Sequence, residues 1–132
     1  MTGIDIDILL EQLIGIIETE YADIVIDCEI INGKMRVYLT EGSTLDIWYS
    51  RRMEGRYAYH WERRHLNGTI YRWDNAKHEA WKNILGYPHH FHEDEDRQVR
   101  GSLLPHNPVE DIKYILNYVR DIINRGYGIN KP

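Results

Sequence analysis

Three histidines and four acidic residues stand together in residues 87–96, which read "YPHHFHEDED". The histidines are His89, His90 and His92. An imidazole changes charge near neutral pH, so it can give or take a proton during catalysis, and it is also a common metal ligand. The segment therefore allows three interpretations: an acid–base site, a metal site, or a polar surface loop whose histidines pair with the acids beside them.

A metal site is the first of these alternatives. His90 and His92 are two residues apart, so on an extended segment both rings point the same way. With a carboxylate such as Asp74 or Glu95 they would make a site for divalent zinc, iron, nickel or manganese. Cys28 is the one cysteine of the chain, which excludes an internal disulfide and a zinc site built from cysteines.

A metal-free ribonuclease site is the second alternative. It needs a base for the ribose 2′-hydroxyl proton, an acid for the leaving oxygen and a cation for the phosphate. Any of the three histidines could be base or acid, and the planar guanidinium of Arg72 suits phosphate oxygens. Asp74 could orient a histidine, and Tyr71 or Trp73 could stack a base. The structural alternative is that Arg72 and Asp74 form an ordinary ion pair on one face of a strand end.

The distribution of charge bears on an RNA target. The chain has a net charge of −5, which argues against a general nucleic-acid coating protein, because phosphate affinity comes mostly from Lys and Arg. Residues 51–82, however, contain eight basic and four acidic residues, so this segment carries about +4. It could contact an RNA backbone, or it could be a solvated sheet face with cross-strand ion pairs.

The elements that position these residues follow from the hydrophobic pattern. Apolar residues recur at helical spacing from Ile6 to Ile17, which predicts an N-terminal amphipathic helix. Five alternating segments follow, joined by turn signals such as Asn32-Gly33 and Asn67-Gly68, and this arrangement predicts an antiparallel meander. The five predicted strands fall within residues 23–31, 34–40, 43–51, 55–64 and 69–74.

The rest of the chain is less regular until its last helix. The pattern predicts a short helix over residues 75–84 and an irregular polar segment over 85–106, with a short strand near 99–104. A C-terminal helix is then predicted, with Asn107 as its cap, Pro108 at its first position and Gly126 at its end.

Two other reactive residues have structural interpretations. Cys28 alternates with Ile24, Ile26 and Ile30, which predicts one shared strand face and a small buried hydrophobe. His60 lies mid-strand among aromatic residues, which favours a hydrogen-bonded sheet residue over a catalyst.

The sequence therefore predicts one α+β domain over residues 1–132. It would be a five-stranded antiparallel meander sheet packed by an N-terminal and a C-terminal helix. The N-terminal helix is interrupted by acids and lacks a preceding basic region, so no signal peptide is expected. No apolar run approaches the ~20 residues of a membrane span, and the expected location is the cytoplasm.

Several motifs resemble those of the TumE-like family, the toxin component of prokaryotic toxin–antitoxin pairs. They are "YLTEGSTL", "YAYHW", "TIYRWDNAKH" and "YPHHFH", followed by a closing helix, and the matching region covers residues 38–92. The most specific part pairs an Arg-x-Asp-Asn motif with Pro-His-His-x-His. These motif residues are Arg72, Asp74, Asn75, Pro88, His89, His90 and His92, and His78 also fits the pattern.

The resemblance implies a small cytoplasmic protein of a prokaryote or archaeon, encoded beside an antitoxin that binds and silences it. For such toxins it also implies a nucleic-acid target, with RNA the common expectation. It does not settle the reaction, so whether the protein is an enzyme stays open.

Together these observations predict a toxin that acts on RNA through a His-rich, metal-independent ribonuclease-like site. Its predicted residues are Arg72, Asp74, Asn75, His78, His89, His90 and His92. No cofactor is expected in that case. The alternatives are a small-molecule enzyme with a divalent transition metal on His90 and His92, and a non-catalytic interaction module. The predicted partners are a cognate antitoxin and RNA, with no membrane, and a homodimer is left open.

Overall fold

The computed structural model describes residues 3–76, 88–93 and 98–126 of the chain. All but the first two residues of the helix predicted over 75–84 lie outside these ranges, and so does His78. The described elements are α1 (Gly3–Glu20), β1 (Val25–Ile31), β2 (Lys34–Leu39), β3 (Thr44–Tyr49), β4 (Tyr57–Arg63), α2 (Arg64–Asn67), β5 (Thr69–Asp74), β6 (His90–Glu93), β7 (Gln98–Gly101) and α3 (Pro108–Arg125).

The sheet is an antiparallel meander in which each strand pairs with the next along the chain. Within the described residues it has seven strands in the order β1 to β7. The α+β class, the antiparallel meander and the two terminal helices are confirmed, whereas the prediction of five strands is wrong. Of the two additional strands, β7 overlaps the short strand predicted near 99–104, and β6 lies in the segment predicted to be irregular. In β6 the alternation is between two histidines and one phenylalanine, so a hydrophobicity pattern does not reveal it.

One face of the sheet and both long helices enclose the core. Alternate residues of β2 to β5 are buried, and Met35 and Val37 on β2 and Tyr59 and Trp61 on β4 are fully so. The helices bury matching rows of aliphatic side chains against them. Those rows are Ile6, Leu10, Leu13 and Ile17 on α1, and Ile112, Ile115, Leu116, Val119 and Ile122 on α3. The residues between the buried ones point to the opposite, polar face of the sheet.

The turn and cap predictions are confirmed except at one hairpin. Asn32 and Gly33 both have positive φ, as a tight two-residue hairpin requires. The Asn107 side chain accepts a hydrogen bond from the Glu110 N–H at 3.2 Å, and Gly126 ends α3 in the left-handed conformation. The predicted two-residue hairpin at Asn67-Gly68 is wrong, because the short helix α2 connects β4 to β5 and Gly68 is its C-cap.

The first strand departs from its predicted alternation. The register with β2 shifts between Val25 and Asp27, so a bulge turns Ile26 outward and leaves it 68% exposed. Cys28 is half-buried against the core, and burial raises the pKa of its thiol to about 12, which agrees with a small hydrophobe. At this sheet edge the Cys28 N–H donates to the Asp27 carboxylate at 2.9 Å.

No helix in the described ranges combines the length and the apolarity needed to cross a membrane.

A buried ion pair joins the β2–β3 turn to the end of β4. The Arg63 side chain is fully buried, donates to Glu41 at 2.9 Å and lies over the Trp61 ring at 4.7 Å. Ser43 donates to the same carboxylate and accepts the Trp61 indole N–H at 2.8 Å. These contacts fix the turn against the strand by charge and hydrogen bonding in a dry environment.

Glu41→Ala is expected to lower the free energy of unfolding by about 3 kcal/mol, because it removes the carboxylate from a buried guanidinium. Urea unfolding of both proteins measures the change. The matched control is Asp7→Ala, which removes the carboxylate of an exposed pair with Arg51 and should cost less than about 1 kcal/mol. Equal losses in the two variants would contradict the structural role of the buried pair.

Candidate functional site

The pairing of β5 with β6 brings two of the sequence motifs together. Arg72 stands opposite His92, and Asp74 stands opposite His90. Directly opposed residues of an antiparallel pair lie on the same face, so all four side chains share the polar face. Between them Trp73 and Phe91 face the helices and stack with ring centroids 4.7 Å apart. The stacked aromatic pair therefore holds in register the two strands that carry the polar groups.

The Asp74 carboxylate lies at the centre of these polar groups. Its Oδ1 accepts the Nε2–H of His90 at 2.9 Å and the backbone N–H of Ala76 at 3.1 Å. Its Oδ2 lies 2.9 Å from Nε of Arg72 and 3.6 Å from Nε2 of His92. We call Arg72, Asp74, His90 and His92 the Asp74 cluster.

Burial differs sharply within the Asp74 cluster. The side chains of Asp74, His90 and His92 are at most 5% exposed, whereas that of Arg72 is 46% exposed. The two imidazole rings are 5.0 Å apart at their centroids, in an edge-to-face arrangement. The cluster thus combines two groups that can transfer protons, a carboxylate that orients one of them, and an accessible cation that can meet an anion first.

An open groove adjoins the cluster on the same face. It has a volume of about 540 Å³, and it is lined by Lys34, Asp46, Trp48, Arg56, Ala58, His60 and Arg72. Asp46 accepts from Lys34 and Arg36, each at 2.8 Å, and the Arg56 guanidinium lies 5.9 Å from the centre of the Trp48 ring. Basic groups and one accessible aromatic ring therefore lead along the sheet to Arg72.

Lys34 and Trp48 were not expected at a site from the sequence, whereas Arg56 belongs to the basic segment 51–82 that was considered as an RNA contact. The signal for Lys34 and Trp48 was present in the strand alternation, because they lie two residues from Arg36 and Asp46, which the register places on the face of Arg72. His60 itself lies near Glu62, with Nε2 and Oε1 3.3 Å apart, as expected of a hydrogen-bonded sheet residue.

The basic segment 51–82 is not one surface. Arg51 pairs with Asp7 near α1, Arg63 is buried, and Arg64 makes three side-chain hydrogen bonds to Glu62. Of the arginines and lysines of this segment that the structure describes, Arg56 and Arg72 line the groove. Lys77 and Lys82 lie outside the described residues. The local charge of the groove is therefore set by residues from three strands and a loop, not by this segment alone.

Asn75 lies next to Asp74 but bonds elsewhere. Its Oδ1 accepts the Tyr57 N–H at 2.9 Å, and its Nδ2 donates to the Gly55 carbonyl at 2.8 Å. It thereby closes the loop between β3 and β4 onto the end of β5. The structure places it beside the Asp74 cluster as a support for the backbone.

His89 lies on the opposite side of the sheet from His90. Its Nδ1 is 3.0 Å from the Tyr57 hydroxyl, and its ring centroid is 3.9 Å from that of His106. Burial lowers the pKa of His89, with a further contribution from the charge of His106. Of the seven predicted site residues, the structure thus brings four together, separates His89 and Asn75 from them, and does not describe His78.

The comparison with known proteins gives one family. The family model described as Toxin TumE matches residues 8–123, which is most of the chain and includes every described element of the sheet. No curated protein and no solved structure gives a significant match. The resemblance seen in the motifs is thereby confirmed at the level of the family.

Asn75→Ala is expected to lower the free energy of unfolding by about 1–2 kcal/mol, because it leaves the Tyr57 N–H and the Gly55 carbonyl without their side-chain partner. Denaturant unfolding measures the loss. Asn75→Asp is the matched variant: it keeps the acceptor for the Tyr57 N–H but sets an oxygen against the Gly55 carbonyl, so it should remain destabilising. An unchanged stability in Asn75→Ala would remove the assigned support role.

Proposed function

Since the chain belongs to the Toxin TumE family, which implies a toxin role and a cognate antitoxin, we propose that its target is RNA in the cytoplasm. The single observation that supports this target is the Asp74 cluster at the end of a basic groove. A polyanion that follows the groove meets Lys34, Arg56 and then Arg72, and next to Arg72 it meets two imidazoles. This order suits a phosphodiester next to a ribose hydroxyl.

The reaction proposed is phosphodiester cleavage by the ribose 2′-oxygen, without a metal. His90 takes the 2′-hydroxyl proton, because Asp74 holds its Nε2–H and leaves Nδ1 to act as the base. The 2′-oxygen then bonds to phosphorus while the 5′-oxygen leaves, and His92 gives that oxygen a proton. Arg72 pairs with the phosphate oxygens during the transfer.

Burial of the histidines sets a condition for this reaction. His90 and His92 are almost inaccessible to solvent, so the cluster must open locally before their ring atoms touch RNA. Arg72 pairs with Asp74 at 2.9 Å, and a phosphate that engages the guanidinium competes with that carboxylate. Binding of the backbone at Arg72 is therefore the step that would loosen the cluster.

Expression of the wild-type chain without its antitoxin is expected to stop growth, and His90→Ala and Arg72→Ala are each expected to restore it. His90→Ala removes the base, and Arg72→Ala removes the phosphate-binding cation. The measurement is growth after induction, together with electrophoresis of total RNA for new cleavage products.

The matched control is His65→Ala, an exposed histidine in α2 that contacts the Gly42 carbonyl and should leave toxicity unchanged. Equal amounts of each soluble protein must be confirmed by immunoblot. Full toxicity of both His90→Ala and Arg72→Ala would contradict the proposed site.

One observation favours a second candidate, a divalent metal at the same place. One ligand atom each from Asp74, His90 and His92 lie within 4.8 Å of one another, and all three residues are buried. Two imidazoles and a carboxylate are a common donor set for zinc or iron. Glu95, the other carboxylate suggested by the sequence, lies outside the described residues.

Elemental analysis after dialysis without chelator separates the two candidates. A metal bound by this triad should be present at one ion per chain in the wild type and should be lost in Asp74→Asn, which keeps the shape and removes the charge. His65→Ala should keep it. If the wild type contains no metal and keeps its toxicity in the presence of chelator, metal-independent cleavage stands and the metal site is excluded.

A further inference from the structure

A second pocket lies on the helix side of the sheet, away from the Asp74 cluster. It has a volume of about 210 Å³ and lies between the start of β4 and the first turn of α3. Pockets for drug-sized ligands have about 300–1,000 Å³, so this one suits a single ring system. We call it the Asp111 pocket. It is lined by Ile6, Tyr49, Ser50, Glu54, Gly55, Arg56, Tyr57, Tyr59, His89, His106, Pro108 and Asp111.

Flat rings form much of the wall of the Asp111 pocket. Tyr57 stacks on Tyr59 at 4.8 Å and on His89 at 5.8 Å, with interplanar angles of 24° and 23°. The His106 ring also contacts the His89 ring, with centroids 3.9 Å apart, and the His106 backbone has a positive φ of 69°. A non-glycine residue in this conformation is uncommon, and here it holds an imidazole at the pocket. Such walls suit a planar aromatic ligand.

The buried acidic group of the pocket lining is the Asp111 carboxylate, which is 2% exposed, whereas Glu54 in the same lining is exposed. Its Oδ1 accepts the backbone N–H groups of His106 and Asn107 at 2.9 and 3.3 Å. Its Oδ2 accepts the Tyr59 hydroxyl at 3.2 Å, and that hydroxyl also lies 3.0 Å from the Tyr49 hydroxyl. A carboxylate oxygen has room for two donors, so Oδ2 can accept one more.

Charge makes this carboxylate unusual. Within the described ranges Asp111 forms no ion pair with Lys or Arg, and its hydrogen bonds come from neutral groups. Burial raises the pKa of Asp111, which reflects the cost of keeping the charge there. The hydrogen-bond partners given above for Asp111, which are Tyr59, His106 and Asn107, do not belong to the Asp74 cluster. The Asp111 carboxylate therefore favours a ligand that brings N–H donors and disfavours one that brings acceptors.

Arg56 connects the pocket with the groove of the opposite face, because it lines both. An RNA strand that lies along the groove passes this residue at the end of the sheet. One nucleotide of that strand could turn there and place its base between the aromatic walls, as single-stranded RNA is commonly read.

We propose that the Asp111 pocket binds one unstacked guanine base of the RNA, which deepens the proposed function and rests on it. Guanine presents a ring N–H and an exocyclic amine side by side, so it offers two adjacent donors to Asp111 Oδ2 and the nearby hydroxyls. The other RNA bases place a carbonyl oxygen or a ring-nitrogen acceptor beside their donor, and that acceptor would face a buried carboxylate.

The test measures binding of short oligoribonucleotides to the purified full-length chain by calorimetry. All nucleotides carry 2′-O-methyl groups, so no attacking hydroxyl exists and binding is separated from cleavage. The probes are a uridine oligomer with one central guanosine and the same oligomer with inosine, which lacks only the exocyclic amine. The guanosine oligomer should bind about tenfold more tightly, the effect of one hydrogen bond to a charged group.

Asp111→Asn should abolish the preference for guanosine, since the amide keeps an acceptor for the backbone N–H groups but no longer offers two acceptor oxygens. Asp121→Asn is the matched control on the same helix, where an exposed acid pairs with Arg125, and it should keep the preference. If Asp111→Asn does not fold, His106→Asn replaces it: asparagine tolerates the left-handed backbone, and loss of the imidazole wall should weaken binding of the guanosine oligomer several-fold.

Equal binding of the two oligomers to the wild type, an unchanged preference in a folded Asp111→Asn, or unchanged binding of the guanosine oligomer by His106→Asn would overturn the proposal. Free guanosine 5′-monophosphate is the probe for the other source of this base. If it binds as tightly as the guanosine oligomer, the ligand is a free nucleotide, and the RNA-base proposal is overturned. Failure of the proposed function is read separately, in the growth assay of His90→Ala and Arg72→Ala.

Discussion

A single buried carboxylate, Asp74, organises the polar face of the sheet around one point. It is the last residue of β5, and it bonds to His90 on the neighbouring strand, to Arg72 on its own strand and to the backbone N–H of Ala76. Burying such a charge is unfavourable unless hydrogen-bond donors surround it. Arg72, two residues earlier on the same strand, and His90, opposite Asp74 in the β5–β6 register, supply these donors. That register in turn depends on Trp73 and Phe91 stacking on the other face. The chemistry of one face is thus fixed by aromatic packing on the opposite one.

Much of this arrangement could be predicted from residue patterns. Helix caps and tight turns are local, so Asn107, Gly126 and Asn32-Gly33 were identified correctly. Regular alternation placed β2 to β5, and two-residue spacing put Arg72 with Asp74 and His90 with His92 on common faces. What brings the two pairs together is a strand pairing between segments separated along the chain. The sequence indicates that the histidine segment could lie near the end of β5. Neither motif alone, however, indicates that Arg72 pairs with His92 and Asp74 with His90 across two strands.

The parts that escaped prediction have a common physical cause. Strands were predicted only where alternating apolar residues marked them, so β6 was expected to be irregular, and His89 was grouped with His90 and His92 although it is adjacent to His90. Adjacent residues of a strand face opposite ways, and this separates His89 from the cluster. The positive charge of segment 51–82 was counted along the chain, but Arg63 is buried in the core and Arg51 pairs with Asp7 of α1, so neither lines the groove. Burial and distance in space, which a linear count does not include, decide which basic groups reach the groove.

The short strand β6 also limits how this protein can change over evolutionary time. His89 serves one side of the sheet and His90 and His92 serve the other, within four consecutive positions. Loss or gain of one residue within this stretch would exchange the two sides, moving imidazoles into the aromatic core and Phe91 into the polar face. Neither side tolerates the other's residues. Divergence at this point must therefore proceed by replacement of side chains, while changes of length are confined to the segments before and after the strand.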